Sequence, residues 1–303
     1  MLSKLMCISL LFLASRCQAQ DYLHLNTPLW FQWPSTAKEA AELRLTNQDV
    51  LKLLNDIYGD NAAPLYAVET FTFAQLEPGK VYLIASVDGS GRRLFYGTNI
   101  AYCKSAQSCT EQDIYNAPPH DYANDVVDLE GNGVKELIAK SLAGGYEGYA
   151  SVPIYTYKIY KVINGKAVDV SSQYKAYYES TLLPRMKADL ARTRAQSADK
   201  RDQEIIDALG MMVQDDYARR ILKESTAGLD HAKVWAHSDN RRLRRFAADA
   251  LSHMDDVAAD AILTEMAKSD DEFTARYASM TLEIRQHVRQ NQQPNPSREP
   301  QKQ

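Results

Sequence analysis

The stretch Asp128–Leu137 has the residue types and the spacing that a cation site needs. Four oxygen-bearing side chains lie close together along it: Asp128, Glu130, Asn132 and Glu136. Gly131 and Gly133 let the backbone turn sharply between them. Hard cations such as Ca²⁺ are bound by six to eight oxygen atoms that point to one position. The stretch therefore predicts a calcium loop with a structural role, and the alternative is an Asp/Asn/Gly-rich β-turn that binds no metal.

Enzyme chemistry has weaker support in the residue pattern. The six histidines lie at positions 24, 120, 231, 237, 253 and 287, without the His-Glu-x-x-His spacing of a zinc hydrolase. The chain also has no Gly-x-Ser-x-Gly nucleophile turn. If the chain has an active site, the segment His120–Asp125, beside the metal loop, could help form it. We expect a binding protein rather than an enzyme, and the alternative is a metal-assisted hydrolase acting in the cell envelope.

The metal loop lies within a predicted antiparallel β domain, residues 60–171. Period-two alternation over Tyr66–Phe73, and apolar runs over Val81–Val87 and Leu94–Tyr96, predict strands. After the loop, Ile154–Ile163 predicts a long strand, and Asn164-Gly165 is typical of a tight hairpin turn.

Two cysteines of this domain, Cys103 and Cys109, enclose five residues. An oxidising compartment would join them in a disulfide. The alternatives are two buried thiols or a pair of metal ligands, although the spacing is not Cys-x-x-Cys.

Residues 1–19 have the pattern of a secretory signal peptide. Lys4 supplies the positive end, Ile8–Ala14 is a short apolar core, and Cys17–Ala19 offers a cleavage point. The apolar run is shorter than the ~20 residues that span a membrane, as is every other apolar run of the chain. We expect an exported protein, periplasmic or secreted, with no membrane span; the alternative is an uncleaved N-terminal anchor.

Residues 20–59 combine an aromatic segment with a helix. Trp30, Phe31 and Trp33 predict a segment packed across a domain edge, or alternatively an exposed platform that stacks on a ligand. Thr46–Gly59 predicts a helix, because Thr46 is a good N-terminal cap and Gly59 a good stop.

The C-terminal half predicts helices only. Residues 172–200 are charged and rich in tyrosine, and they predict a connecting helix that Pro184 interrupts. Residues 201–290 contain a repeat, since Ser238–Leu251 aligns with Ser269–Leu282 at an offset of 31. An earlier degenerate unit is predicted as two helices, Ile205–Val213 and Tyr217–Leu222. Residues 291–303, rich in Gln and Pro, predict a disordered tail.

Charge argues against nucleic acid as a partner. The chain of 303 residues has a formal net charge of -4. Its most basic run is Arg241–Arg245, and solvated or ion-paired helix faces explain that run without nucleic acid.

The metal loop and the strands after it resemble one blade of the FG-GAP/VCBS type, whose loop reads Asp-x-Asp-x-Asp-Gly-x-x-Asp/Glu-Leu and binds calcium. The resemblance implies side-chain ligands at Asp128, Glu130, Asn132 and Glu136 and a backbone carbonyl ligand at Val134. The chain departs from the pattern at Glu130, which replaces a shorter Asp or Asn.

Residues 202–290 resemble short bacterial HEAT-type repeats. The resemblance implies that Arg245 and Arg276, with the Asp before each helix, make contacts between repeats. Helix-pair repeats of this kind bury their apolar faces on one another and present large surfaces to other proteins.

The sequence therefore predicts an α+β chain, with an antiparallel β domain followed by an all-α, HEAT-like repeat domain. Its predicted function is that of an exported binding or scaffolding protein with one calcium loop. The helical repeats would bind a protein partner, and one specific form is an inhibitor or immunity-type protein.

Overall fold

A computed structural model of the chain describes residues 22–25, 31–58, 65–88, 96–105, 108–115, 125–143, 154–196 and 200–292. These residues form two compact units. The first contains the described residues up to Leu142 together with Tyr155–Met186, and the second contains Ala143, Ile154 and the described residues from Lys187 onward. The chain is of mixed α+β class, with antiparallel sheets in its N-terminal half and helices in its C-terminal half.

The first unit contains a five-stranded antiparallel sheet. Its strands are β1 (Tyr22–Leu25), β2 (Ala67–Glu77), β3 (Lys80–Asp88), β4 (Tyr96–Ser105) and β5 (Ser108–Tyr115), in the order β1-β5-β4-β3-β2. Of the predicted strand Leu94–Tyr96, only Tyr96 lies among the described residues, and β4 extends from there to Ser105 and pairs with β5. Thr98, Asn99 and Gln112 are polar but buried, which hides the alternation of these two strands from the sequence pattern.

Two helices lie between β1 and β2 in the chain, α1 (Ala37–Glu42) and α2 (Asn47–Tyr58). The predicted cap of α2 is confirmed, because Thr46 Oγ accepts from Asp49 N at 3.2 Å and the Asp49 carboxylate accepts from Thr46 N at 2.8 Å. Such reciprocal bonds satisfy backbone groups that a helix start leaves open. The apolar face of α2 is buried against one face of the sheet, through Val50, Leu53, Leu54 and Ile57.

The aromatic segment packs into the same core. Trp33 Nε1 donates to Val81 O at 2.8 Å, and its ring meets Phe31 and Phe73 edge to face. These contacts agree with the predicted packing role, while Trp30 lies outside the described residues.

A second, four-stranded antiparallel sheet covers the other face of the first. Its strands are β6 (Asp125–Val127), β7 (Glu136–Leu142), β8 (Tyr155–Ile163) and β9 (Lys166–Asp169), in the order β6-β7-β8-β9. The apolar layer between the sheets contains Tyr82, Ile84, Ile100, Leu137 and Val162. Gln112 of β5 spans the layer, since its Nε2 donates to Gly165 O and its Oε1 accepts from Ala167 N, both at 2.6 Å.

The segment after β9 is helical without a break. It consists of a 3₁₀ turn (Ser171–Tyr174), a short helical turn (Lys175–Tyr177), a π-helical turn (Tyr178–Leu182) and α3 (Leu183–Gln196). The predicted interruption at Pro184 was wrong. Pro184 is the second residue of α3, and the π turn just before it already departs from the regular i,i+4 hydrogen-bond pattern, so the missing N–H of proline is accommodated at this junction.

The second unit begins with α4 (Lys200–Tyr217), which continues into a π-helical turn (Ala218–Leu222). The two separate helices predicted here are therefore one. Asp216 does not start a new helix but pairs with Arg220 one turn further on, and such i,i+4 pairs support a continuous helix. The helix ends at Lys223, which has a positive φ of 65°.

The remaining helices are α5 (Leu229–Ala236), α6 (Arg241–Ser252), α7 (Val257–Met266) and α8 (Glu272–Gln292). Because α6 and α8 begin at Arg241 and Glu272, they keep the 31-residue offset of the sequence repeat. The segments before them also share hydrogen bonds. Ser238 Oγ accepts from Asn240 N at 3.1 Å, and Ser269 Oγ accepts from Asp271 N at 3.2 Å. The repeat in sequence is thus a repeat of local structure.

The predicted leader, residues 1–19, lies outside the described residues, as does residue 293 onward in the predicted tail. Residues 291–292 of that tail are the end of α8. Within the described part of the chain, no helix has the length and apolarity needed to cross a membrane.

Candidate functional site

The metal loop folds into a tight turn between β6 and β7. Gly131 and Gly133 have φ of 68° and 83°, values that glycine adopts at little cost. Asp128 closes the turn, because its Oδ1 accepts from Asn132 N at 3.1 Å and its Oδ2 from Gly133 N at 2.8 Å. Asn132 Oδ1 accepts from Val134 N at 2.8 Å. The bonds from Gly133 and its neighbours lower the pKa of Asp128 below its ordinary value.

The two glutamates of the loop meet at one tyrosine. Tyr174 Oη lies 2.8 Å from Glu130 Oε1 and 2.9 Å from Glu136 Oε1. Glu136 is fully buried, and its second oxygen accepts from Leu129 N at 2.9 Å. The second oxygen of Glu130 accepts from Asn132 Nδ2 at 2.9 Å. Burial and the two carboxylates raise the pKa of Tyr174, so its hydroxyl keeps its proton.

A lysine of β8 joins the same cluster. Lys161 Nζ forms an ion pair with Glu130 Oε1 and lies 3.7 Å from Glu136 Oε1. It also lies 5.4 Å from the centre of the Tyr174 ring, within the range of a cation–π interaction. The bonds from Lys161 and Tyr174 lower the pKa of Glu130.

The structure therefore brings the five predicted ligand residues to one turn, but it turns their side-chain oxygens toward donors of the chain itself. Calcium needs several oxygens that converge on one position. In the described part of the chain, no group of three or more His, Cys, Asp or Glu side chains is arranged to hold a metal ion. The oxygens in this arrangement do not converge on one position, so nothing in this geometry supports the predicted calcium binding. Of the neighbouring segment His120–Asp125, only Asp125 is described.

Lys161 and Tyr174 were not predicted as members of this site. They are separated from Glu130 by 31 and 44 residues. A lysine within an apolar strand, and a tyrosine directly after the strand that follows it, are weak signals of a shared site. The pairing of β7 with β8 places Lys161 beside the loop, and the 3₁₀ turn after β9 brings Tyr174 to it.

The predicted disulfide is present. Cys103 and Cys109 are direct partners across β4 and β5, with an S–S distance of 2.06 Å and a Cα–Cα distance of 4.0 Å. Both residues are buried in the cluster beneath α2. The bond therefore closes a hairpin on the side of the sheet that supports the helix.

In the second unit, arginines connect the two repeats. Arg245 of α6 contacts Asp271, the residue before α8, with its Nε 3.1 Å from Oδ2 and its Nη2 3.1 Å from Oδ1. Arg244 reaches Asp270 at 3.3 Å. Burial opposes ionisation of Asp271, but the bonds from Arg245 and Thr274 outweigh it and lower its pKa to about 2. Arg245 thus connects α6 to the segment that precedes α8.

A second arginine joins the repeats from α8. Arg285 is buried, and it donates to Asp260 of α7 and to the backbone carbonyls of Leu251 and Met254 at the end of α6. Arg289, one turn later, also pairs with Asp260, at 2.6 Å. These contacts satisfy carbonyls that a helix end leaves open, and they hold α6, α7 and α8 together.

Asp249 of α6 lies near charged residues of α4 and of the π-helical turn that follows it. Burial raises its pKa to about 6, with a further contribution from Asp216. Opposing these effects, Tyr277 Oη lies 3.4 Å from its Oδ1, and the charge of Arg219 is near. Perturbed groups occur in active sites and in structural networks alike, and the partners here are those of a structural network.

The comparisons with known proteins assign no family to this arrangement. No protein-family model matches the chain, and neither the curated proteins nor the solved structures include a match.

Proposed function

We propose that this chain is an exported binding or scaffolding protein whose helical repeats bind a protein partner. A specific form of the proposal is an inhibitor or immunity-type protein that occupies a partner in the same compartment. Export rests on the residue pattern of positions 1–19, and the binding role rests on the second unit.

The observation that carries the proposal is the repeated, cross-connected helix pair. The segment before α6 and the segment before α8 have equivalent hydrogen bonds, and Arg245 connects one repeat to the next. Stacked helix pairs of this kind present a continuous surface made by equivalent positions of successive repeats, and proteins built in this way commonly bind other proteins.

The surface of α5 and α7 provides positions at which the proposal can be tested. His237, which follows α5, contacts Glu265 of α7 at 3.0 Å, so the first helices of the two pairs lie near each other. Each carries an exposed apolar side chain, Val234 at 70% exposure and Val257 at 81%. Because both side chains are exposed, they give two positions at which a partner can be detected without changing the core.

Site-specific photo-crosslinking tests the proposal. A photoreactive side chain at position 234 or 257 of the full chain should crosslink one recurring protein from the exported fraction of the native cells. The control carries the same group at position 168 in β9, where the native valine is exposed. The captured protein is then purified and titrated against the wild-type chain.

The second arm uses the double variant Val234→Asp/Val257→Asp. We expect it to keep the wild-type melting temperature, because both sites are exposed, and to bind the purified partner at least about 10-fold more weakly, since charged groups are disfavoured at the centre of an interface. The proposal is overturned if no single protein is captured at both positions. It is also overturned if the double variant binds the partner with unchanged affinity.

A further inference from the structure

A positively charged group of the chain itself lies where the loop sequence predicts a bound cation. The ammonium group of Lys161 contacts Glu130 and lies 3.7 Å from Glu136, the third and ninth positions of the loop pattern that starts at Asp128. In a calcium loop, the ion itself joins these two positions. Here a side chain of β8 joins them.

The position of Lys161 in its strand makes this contact part of the fold. Tyr160 and Val162 pack in the layer between the two sheets. Side chains alternate along a strand, so Lys161 leaves the opposite face of β8. Tyr174, from the 3₁₀ turn after β9, bonds both glutamates on that side. The lysine is thus held by its strand and by a ring that lies across it.

The buried glutamate requires such a partner. Glu136 has no exposed surface, and an ionised carboxylate in that setting needs a counter-charge and hydrogen bonds. It has them in Leu129 N, Tyr174 Oη and the nearby Lys161 ammonium. The charge and the hydrogen bonds come from the chain, so the loop closes without an ion.

Lysine and calcium cannot share this position. A calcium ion lies about 2.3–2.6 Å from each of its ligand oxygens. An ion on Glu130 Oε1 would therefore lie within a few ångströms of the Lys161 ammonium that binds the same oxygen, and like charges at that distance repel strongly. Calcium would have to displace the lysine and also redirect the oxygens of Asp128 and Asn132, which bond backbone N–H groups.

We infer that the Lys161 ammonium takes the place of the divalent cation in this loop, so that the loop is metal-independent in the native chain and becomes a calcium site when the lysine charge is removed. The inference lies wholly in the first unit and is independent of the proposed function. It assigns Lys161 a positioning role.

The test compares the wild-type chain with Lys161→Met and Lys161→Arg. Methionine keeps an unbranched side chain and removes the charge, whereas arginine keeps the charge. Each protein is freed of metal with a chelator and melted at 0–10 mM CaCl₂, with MgCl₂ in parallel. Amide exchange of the peptide 128–137, followed by mass spectrometry, reports on the loop itself, because the amides of Asn132, Gly133 and Val134 donate to loop side chains.

We expect wild-type and Lys161→Arg to show the same melting temperature and the same loop protection with and without calcium. Lys161→Met should melt several degrees lower and lose loop protection, and calcium should restore both with a midpoint near about 10⁻⁴–10⁻³ M, as in extracellular calcium modules. A calcium-dependent rise in the wild-type melting temperature overturns the inference. A folded Lys161→Met protein whose loop protection does not change on addition of calcium also overturns it. If Lys161→Met does not fold without calcium, its refolding on addition of CaCl₂ supports the inference, and failure to refold overturns it.

Discussion

Arg245 and Asp271 form a two-point ion pair between repeats, with both N–O distances at 3.1 Å. The carboxylate also accepts from Thr274 N at 3.1 Å, so one side chain caps α8 and connects it to α6. The ring of Phe273 lies 4.4 Å from the guanidinium carbon of Arg245 and covers it. The contact therefore links the start of one helix, the face of another and an aromatic ring.

Removing the arginine leaves Asp271 buried and partly unpaired. We expect Arg245→Ala to lower the free energy of unfolding of the second unit by about 3 kcal/mol, since breaking a buried ion pair from one side is costly. Urea denaturation followed by circular dichroism measures the change. The matched control is Arg241→Ala, because Arg241 lies 3.9 Å from the same carboxylate but is exposed. Its loss should cost less than about 1 kcal/mol, and equal losses in the two variants would contradict the structural role of Arg245.

A prediction with the opposite sign concerns Asp249. Its folded-state pKa of about 6 lies above the unfolded value of about 3.9, so the folded state holds the proton more tightly. Stability should therefore fall as pH rises from about 4 to about 6, and the cost should be fully present at pH 7. Asp249→Asn removes the charge and keeps an oxygen that can accept from Tyr277.

We expect Asp249→Asn to be more stable than the wild type at pH 7 by about 1–3 kcal/mol, with the difference vanishing near pH 4. Urea titrations at pH 4, 5, 6 and 7 measure the two curves. Parallel curves over this range would show that Asp249 ionises in the folded protein as an ordinary carboxyl group does.

The features that could be predicted from the sequence depend on residues close to one another in the chain. The cap at Thr46 is such a feature, because its partner is Asp49. The turn at Gly131 and Gly133 is another, since Asp128 closes it through amides four and five residues away. The 31-residue repeat was visible because it places the same small set of capping residues before α6 and α8.

The features that were missed depend on distant pairs. Gln112 is buried because it bonds the hairpin at Gly165 in the other sheet, and a polar residue in the middle of a strand otherwise indicates an exposed face. Lys161 reaches the loop because β7 pairs with β8, and Tyr174 reaches it from the 3₁₀ turn after β9. The residue types of the loop therefore predict its turn, whereas its electrostatic partner follows from the sheet.

The disulfide offers a test of the sheet beneath α2. Reduction of the Cys103–Cys109 bond should lower the free energy of unfolding of the first unit by about 2 kcal/mol, because the bond closes a loop of only a few residues in the unfolded chain. The comparison uses the same wild-type protein with and without dithiothreitol, so no cavity is created. The double variant Cys103→Ala/Cys109→Ala provides the control, and its stability should not respond to reductant. A wild-type unfolding curve that is the same with and without reductant would contradict the prediction.

Gly228 gives the last prediction, because it combines a positive φ with close neighbours. Its φ is 87°, and a Cβ there would lie 2.7 Å from Asp215 Oδ2 and 2.9 Å from Arg219 Nη1. Both groups are held, Asp215 by His231 Nδ1 at 2.9 Å and Arg219 by Ala227 O at 2.7 Å. Gly228→Ala should therefore cost more than the ~1–2 kcal/mol of the left-handed backbone alone.

A double-mutant cycle within the same unit separates the two contributions. Asp215→Ala removes the atoms nearest to the new methyl group. In that background, Gly228→Ala should lower the free energy of unfolding only by the amount due to the left-handed backbone. Gly79→Ala is the reference for backbone strain, since Gly79 has a φ of 70° and open space where the alanine methyl group would lie. If Gly228→Ala costs no more than Gly79→Ala, and the cycle shows no coupling to Asp215, the side chains around Gly228 move aside freely. A measured coupling of about 1 kcal/mol or more would instead place Gly228 in the rigid part of the helical unit, where its lack of a side chain makes room for Asp215 and Arg219.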